Sequence, residues 1–255
     1  MNSPLLMQLL LIIISNSCAN ANDDSDQQLL LVLGGASDAS VAVYNQACDI
    51  KCSVDIPNVP QDYGFPGRTG SYATVLGDSV LVCGGLDDAG PPISSFKDCQ
   101  KLDLSTFTWS KDKNMANYSA NGVSIQISTS EFIVFGGENT RYNGPGPTEW
   151  VDHNQIQLLD VSEDESWKIL DKLTLNNDSF LGSCAVFHDG NVLMTDGWQG
   201  TSLVSFNVDT KSWAEVFSDV GFSAKRHGCA LVLINGEEHM AFIGGDTNLV
   251  IKYFY

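Results

Sequence analysis

Short apolar runs alternate with turn-forming residues along most of the chain. Five of these runs lead into a glycine pair or a degenerate copy of one: Leu31-Val32-Leu33-Gly34-Gly35, Leu81-Val82-Cys83-Gly84-Gly85, Ile133-Val134-Phe135-Gly136-Gly137, Leu193-Met194-Thr195-Asp196-Gly197 and Ala241-Phe242-Ile243-Gly244-Gly245. Short β-branched and aromatic runs between Gly, Asn, Asp and Pro are typical of strands, and no segment has a sustained helical period. Because glycine has no Cβ, a glycine pair suits a strand end where the backbone turns sharply. The pattern predicts an all-β protein.

The glycine pairs recur at a nearly constant interval. Their first positions are 34, 84, 136, 196 and 244, which gives steps of 50, 52, 60 and 48 residues. A run opened by a small residue precedes each of the later pairs, and a third run follows it. A fourth run then begins with a tryptophan in three of the repeats, at Trp109, Trp167 and Trp213. A large indole at this place supplies buried area between neighbouring small sheets, so we expect repeats of four antiparallel strands.

Together these features resemble the kelch-repeat family, whose repeats are about 50 residues long. The resemblance covers residues 29–255 and is carried by the glycine pairs, by the Tyr/Phe-Asn/Asp position at Tyr44-Asn45 and Phe206-Asn207, and by the following Trp. The first repeat departs from the pattern because it has no Trp, the fourth because it has Asp196 for the first Gly, and the fifth because it ends before any Trp. The resemblance implies a β-propeller with mostly protein-interaction roles and about five repeats, roughly 29–62, 63–114, 115–174, 175–220 and 221–255.

The two ends of the repeat region predict an incomplete ring. The first repeat starts with a second strand at 29–33, and the last residues, 251–255, match a third strand. An open ring exposes strand edges that closed propellers protect. We therefore expect either a longer natural protein or self-association through an open propeller edge.

The first 21 residues have the pattern of a signal peptide. The apolar run 5–14 is too short to span a bilayer, and it is followed by Ala19-Asn20-Ala21, the small-residue pattern that signal peptidase cuts. We expect cleavage after Ala21, or after Ala19 as a second choice, and a propeller domain over 22–255. An apolar strand or a membrane anchor is the alternative for this segment. No later run is long enough for membrane insertion.

The cysteines also indicate export. Removal of Cys18 with the signal peptide leaves six of the seven cysteines, and an even set in an exported chain suggests disulfides. Cys83 and Cys99 flank what looks like one hairpin loop, within disulfide reach. The other candidates are Cys48 with Cys52, and Cys184 with Cys229, where the last two could equally be buried thiols.

The charge of the chain excludes one class of partner. Lys and Arg total 13 against 31 Asp and Glu, a net charge of −18. Phosphate backbones and anionic lipid surfaces repel such a chain, so nucleic acid is not an expected partner. Cationic proteins or metal ions remain permitted. A hydrophobic content of 43% argues against disorder.

Catalytic signatures are not found. The sequence has no phosphate-binding loop, Gly-x-Ser-x-Gly elbow or His-Glu-x-x-His pair. The histidines are scattered without metal-ligand spacing, at His153, His188, His227 and His239. The enzymatic alternative is a galactose-oxidase-like or other carbohydrate-active propeller, but its copper site cannot be assembled from these histidines and Tyr72, Tyr118 or Tyr142. We expect no cofactor, no metal and a binding role.

The candidate binding residues lie in the loops of the second and third repeats. The longest loop, 138–150, contains Arg141, Tyr142 and Trp150, residue types enriched in binding hot spots. Asp87 and Asp88 of the second repeat would attract a cation or a basic partner. The alternatives are that Trp150 folds back onto its own blade and that the two aspartates are solvated turn residues. The expected partner is a protein or a glycan.

Two N-glycosylation sequons are present between consecutive repeats. They are Asn117-Tyr118-Ser119 and Asn177-Asp178-Ser179. Both lie where a loop joins one blade to the next, so Asn117 and Asn177 are candidate glycan acceptors.

Overall fold

The computed structural model describes residues 12–15, 28–33, 41–45, 68–87, 94–141, 149–152, 155–162, 166–172, 180–195, 202–218 and 227–244. The regular secondary structure of these residues consists of strands, which confirms the prediction of an all-β protein. Within these ranges no helix is long and apolar enough to cross a membrane.

The strands follow the predicted alternation of short runs and turns. In chain order they are β1 (Ile12–Ser15), β2 (Gln28–Leu33), β3 (Val41–Asn45), β4 (Tyr72–Leu76), β5 (Ser79–Cys83), β6 (Leu86–Asp87), β7 (Ser94–Ser95), β8 (Cys99–Asp103), β9 (Thr108–Asp112), β10 (Val123–Gln126), β11 (Glu131–Phe135), β12 (Glu138–Arg141), β13 (Glu149–Asp152), β14 (Gln155–Asp160), β15 (Trp167–Lys172), β16 (Ala185–His188), β17 (Asn191–Thr195), β18 (Leu203–Asn207), β19 (Ser212–Phe217), β20 (His227–Ile234) and β21 (Glu237–Gly244).

The strands form five main sheets and two small ribbons, all antiparallel. Sheet 1 has the order β1-β2-β3, sheet 2 the order β4-β5-β8-β9, sheet 3 the order β10-β11-β14-β15, sheet 4 the order β16-β17-β18-β19, and sheet 5 pairs β20 with β21. The ribbons β6-β7 and β12-β13 are inserted between the second and third strands of sheets 2 and 3. Sheets 2, 3 and 4 are therefore the four-stranded meanders that the sequence predicts.

The sheets are arranged as in a propeller. Their first strands, β4, β10, β16 and β20, contact one another in succession. The second strand of sheet 2, β5, is buried along its whole length, whereas most residues of the fourth strands β9 and β19 are exposed. First strands thus lie inside and fourth strands outside.

Apolar side chains fill the spaces between consecutive sheets. One cluster joins sheets 2 and 3, a second joins sheets 3 and 4, and a third joins sheets 4 and 5. The Trp167 ring meets Phe132 edge-on at 5.9 Å in the first cluster. In the second, Trp213 stacks on Phe180 at 5.7 Å between centroids. These indoles lie between neighbouring sheets, while Trp109 is half-buried on β9.

In sheets 2, 3 and 4 an Asn or Asp at the end of the third strand caps the turn to the fourth strand. The Asp103 carboxylate accepts hydrogen bonds from the backbone N–H groups of Ser105 and Thr106 at 2.9 and 2.8 Å. Asp160 and Asn207 end β14 and β18, and each accepts an equivalent backbone bond at 2.9 Å. Short polar side chains that bond their own turn are favoured at such places. The hydrogen bonds from Ser105 and Thr106 lower the pKa of Asp103 to about 2.

Sheet 1 differs from the prediction at its first strand. The sequence places no strand before 29–33, because residues 1–21 have the pattern of a signal peptide. In the structure, β1 lies inside that segment and pairs with β2, with Ile12 opposite Leu31 and Ser15 opposite Gln28. It takes the position that β4 takes in sheet 2. Consecutive isoleucines suit a strand as well as the apolar core of a signal peptide, so the pattern alone does not separate the two roles.

Candidate functional site

Both ribbons lie at the end of sheets 2 and 3 where the glycine pairs are found. Ribbon β6-β7 follows the Gly84 pair of sheet 2, and ribbon β12-β13 follows the Gly136 pair of sheet 3. The ribbons lie side by side: β7 contacts β12, and the Ser95 hydroxyl donates to the Glu138 carbonyl oxygen at 3.4 Å. We call this end of sheets 2 and 3, with its two ribbons, the ribbon face.

Three of the five predicted binding residues lie on these ribbons. Arg141 is opposite Glu149, and Trp150 is opposite Thr140 in the adjacent register pair of β12-β13. Asp87 is opposite Ser94 on β6-β7. Tyr142 and Asp88 lie outside the described residues. Arg141 and Trp150 thus belong to one ribbon, and Asp87 belongs to the neighbouring ribbon.

The glycine pairs at the base of the ribbons have left-handed backbone. Both pairs have positive φ, 64° and 90° at Gly84 and Gly85 and 61° and 102° at Gly136 and Gly137. A Cβ on Gly137 would lie 2.6 Å from the Ala120 carbonyl oxygen. Glycine is required at position 137 both by its positive φ and by the close approach of the segment between β9 and β10. Of the other predicted structural glycines, Gly244 ends β21, and Gly34, Gly35, Gly197 and Gly245 lie outside the described residues.

A buried arginine supports the base of the first ribbon. Arg68 donates to both carboxylate oxygens of Asp98 at 2.9 Å, and it donates to the carbonyl oxygen of Gly84 at 3.2 Å. The guanidinium carbon is 3.6 Å from the centre of the Phe96 ring. A bidentate, stacked arginine is well suited to rigid positioning. It holds the segment between β7 and β8 against the glycine pair.

An open cleft of about 450 Å³ lies beside this arginine. Its lining combines both charge signs with one aromatic ring: Arg68, Phe96, Asp98, Cys99, Lys111, Asp112 and Asn114. Arg68 and Asp98 bond each other, and Lys111 and Asp112 add one further charge of each sign to the lining.

A hydrogen-bond chain connects sheets 2 and 3 beneath the ribbons. Tyr72, on β4, donates its hydroxyl to the Ser119 Oγ atom at 2.6 Å, and Ser119 donates to the Gly136 carbonyl oxygen at 2.7 Å. The Tyr72 oxygen also accepts the N–H of Gly122 at 3.0 Å. Burial raises the pKa of Tyr72 well above its usual value, so the phenol stays neutral and remains a donor.

Both long-range cysteine candidates are disulfides. Cys83 and Cys99 are bonded across β5 and β8, which confirms the predicted bridge. Cys184 and Cys229 are also bonded, and they join sheet 4 to sheet 5. The sequence left this second pair open between a disulfide and two thiols. Cys48 and Cys52 lie outside the described residues.

Three of the four histidines lie among the described residues, each on a different strand. His188, on β16, pairs its Nδ1 atom with the Glu238 carboxylate at 3.0 Å across sheets 4 and 5, and His239 is buried on β21. His227 opens β20, and His153 lies outside the described residues. In the described part of the chain, no group of three His, Cys, Asp or Glu side chains is placed to hold a metal ion.

The sequence pattern does not reveal the residues that precede the first strands and support this site. Arg68 and Ser119 both lie four positions before a first strand, and each donates to the carbonyl of the first glycine of a pair. A polar donor at a constant distance before the first strand is the signal that would have identified them. Tyr72 lies in a predicted first strand, but its bond to Ser119 has no signal in the sequence.

Comparisons with known proteins give information about the fold but not about the function. No family model matches the chain, and no curated protein matches it. Solved structures do match, 214 chains in all. One is titled "Structure of YjhT"; it aligns with a TM-score of 0.67 and 14% identity over 88% of this chain and 70% of that one. At this identity the likeness shows a shared fold over most of the chain.

Proposed function

We propose that this chain is a secreted kelch-type propeller that binds a protein or glycan partner through the ribbon face. The observation that carries the proposal is the pair of adjoining ribbons, which rise from neighbouring sheets on a rigid base. Variable insertions on a rigid strand scaffold are a common way to build a binding surface. No cofactor is required for this role.

The kelch assignment rests on structural features that recur from one sheet to the next. Positive-φ glycine pairs end the second strands of sheets 2 and 3, Asx caps end three third strands, and a tryptophan lies in each fourth strand of sheets 2, 3 and 4. We propose about five such repeats over residues 29–255.

Secretion is supported by the two disulfides. Disulfides persist in oxidising compartments and are rare in the cytosol, so the bonded pairs indicate an oxidising environment. We propose that residues 1–21 are removed, which would take β1 out of sheet 1, and that Asn177 receives a glycan. Amino-terminal sequencing of protein secreted from a eukaryotic host should begin at Asn22 or Asn20. A secreted chain that still contains Ile12–Ser15 would contradict the signal peptide.

The ribbon chemistry supports recognition rather than catalysis. Arg141 and Trp150 occupy adjacent register pairs, and arginine and tryptophan dominate the free energy of many interfaces. Asp87 adds a carboxylate on the neighbouring ribbon.

Binding can be tested with matched variants on the two ends of sheet 3. Purified secreted protein is screened on a glycan array and against extracellular material, and the affinity for each ligand found is measured by calorimetry. We expect Arg141→Ala or Trp150→Ala to weaken binding by roughly 30-fold, the effect of about 2 kcal/mol at a hot spot. Thr129→Ala, in the exposed turn at the opposite end of sheet 3, should leave affinity unchanged. Equal affinity in all three variants would overturn the ribbon face as the binding surface.

A further inference from the structure

The first sequon lies in the linker that joins sheet 2 to sheet 3, and its asparagine is engaged there. The Asn117 Nδ2 atom donates to the Gln155 Oε1 atom at 2.5 Å. The Asn117 backbone N–H donates to the Gln157 Oε1 atom at 2.8 Å. Both glutamines belong to β14, so the side chain and the backbone of Asn117 are held by the third strand of sheet 3. Asn117 itself is half-buried.

The serine of the same sequon is buried, and its hydroxyl, backbone N–H and carbonyl oxygen all form hydrogen bonds. Ser119 is 0% exposed. Besides the bonds of its hydroxyl to Tyr72 and Gly136, its backbone N–H donates to the Phe96 carbonyl oxygen at 3.2 Å, and its own carbonyl oxygen accepts the Gly85 N–H at 3.0 Å. Ser119 therefore contacts the glycine pairs of both sheets.

We propose that Asn117-Tyr118-Ser119 is a latch between sheets 2 and 3 that competes with N-glycosylation, so that the folded protein carries no glycan at Asn117. Each bond of the latch joins the linker to sheet 2 or to sheet 3, and none is made within the tripeptide. The linker cannot leave one sheet without losing buried hydrogen bonds to the other. Opening the linker is disfavoured because it leaves buried polar groups without their partners.

Glycosylation needs the atoms that the latch uses. The transfer forms a bond between Asn Nδ2 and the anomeric carbon of a lipid-pyrophosphate-linked oligosaccharide, breaks the bond from that carbon to the phosphate oxygen, and releases the lipid pyrophosphate and one Nδ2 proton. In the folded protein, Nδ2 faces Gln155, and the sequon hydroxyl is inaccessible. A sugar added before folding would enter the half-buried contact with β14 and draw Ser119 out of its site. A glycan at Asn117 and a formed latch therefore exclude each other.

A neighbouring asparagine provides a matched control in the same linker. Asn114 is exposed and lies three positions before Asn117, but it is followed by Met115 and Ala116 and is not a sequon. Ala116→Ser creates an Asn-Met-Ser acceptor there by adding a single oxygen atom to a half-buried side chain. Wild type and Ala116→Ser are secreted from a eukaryotic host behind a heterologous signal peptide. Enzymatic deglycosylation in ¹⁸O water followed by peptide mass mapping then reports the occupancy of each asparagine.

The expected result is an unmodified Asn117 in both secreted proteins and a glycan on Asn114 in Ala116→Ser. A glycan on Asn117 in secreted, monodisperse protein with a cooperative melt would overturn the proposal. An unmodified Asn114 in Ala116→Ser would also overturn it, because the linker as a whole, rather than the latch, would then exclude the transferase. A glycan-free Asn117 is expected whatever partner the ribbon face binds.

Discussion

Removal of one oxygen atom, by Tyr72→Phe, should destabilise the protein strongly because that oxygen holds two sheets together. Its loss leaves the buried Gly122 N–H without its 3.0 Å acceptor and deprives Ser119 of its 2.6 Å donor. Ser119 keeps its own bond to Gly136. An orphaned buried donor costs about 1–3 kcal/mol, and a typical hydrogen bond contributes about 1 kcal/mol. We expect a loss of about 2–4 kcal/mol in the free energy of unfolding.

Urea denaturation followed by tryptophan fluorescence and circular dichroism measures this loss. The midpoint should fall while the slope m stays constant, since the surface exposed on unfolding is unchanged. Tyr118→Phe is the matched control, because it deletes the same atom from a side chain that is 40% exposed. Surface changes of this kind are usually within about 0.5 kcal/mol of wild type. Equal stability of Tyr72→Phe and wild type, or an equal loss in Tyr118→Phe, would refute the reasoning.

Alkaline pH supplies a second readout of the same group. The folded pKa of Tyr72 is raised, so the native state holds its proton more tightly than the unfolded state does. The corresponding stability is fully present below the unfolded pKa of about 10 and is lost as pH rises above it. Wild type should therefore lose stability faster than Tyr72→Phe above about pH 10. Parallel profiles for the two proteins would contradict this assignment.

Three further changes test other parts of the fold. Asp103→Asn should keep the turn cap at neutral pH. Because the folded pKa of Asp103 is lowered, wild type loses stability as pH falls from about 4 to about 2, and the variant should lack this loss. Profiles of Tm against acid pH that coincide for the two proteins would contradict this. Replacing Cys184 and Cys229 with Ala removes a disulfide that spans 45 residues and should lower the free energy of unfolding by about 4 kcal/mol. Removal of the Cys83–Cys99 disulfide, which spans 16 residues, should lower it by about 1 kcal/mol less, and urea denaturation of the two double variants would show the order. Gly137→Ala should cost more than Gly77→Ala, because both glycines have positive φ but a Cβ would clash only at Gly137; equal thermal shifts would be inconsistent with the close approach.

The ribbon face was only partly predictable from the sequence. The loop 138–150 was identified by its length, and Arg141 and Trp150 by their residue types. The pairing of that loop into β12-β13 and its contact with β7 were not, because the ribbon has no alternating apolar pattern and its neighbour lies in another repeat. The bond between Cys184 and Cys229 likewise joins two repeats, and spacing along the chain does not measure the distance between them.

Most strands of the main sheets and their turns could be predicted from the sequence, because they depend mainly on residues near one another in the chain. Alternating apolar runs and the Asx cap at Asp103 act within a few residues, and the positive φ of Gly84 and Gly136 is a torsion that glycine readily adopts. How one sheet is fastened to the next depends on contacts between distant parts of the chain. Tyr72 meets Ser119 across 47 residues and Gly122 across 50, and Asn117 meets Gln155 across 38. A polar side chain shows its hydrogen-bonding capacity in the sequence, but its partner is chosen by the packing of one sheet on the next.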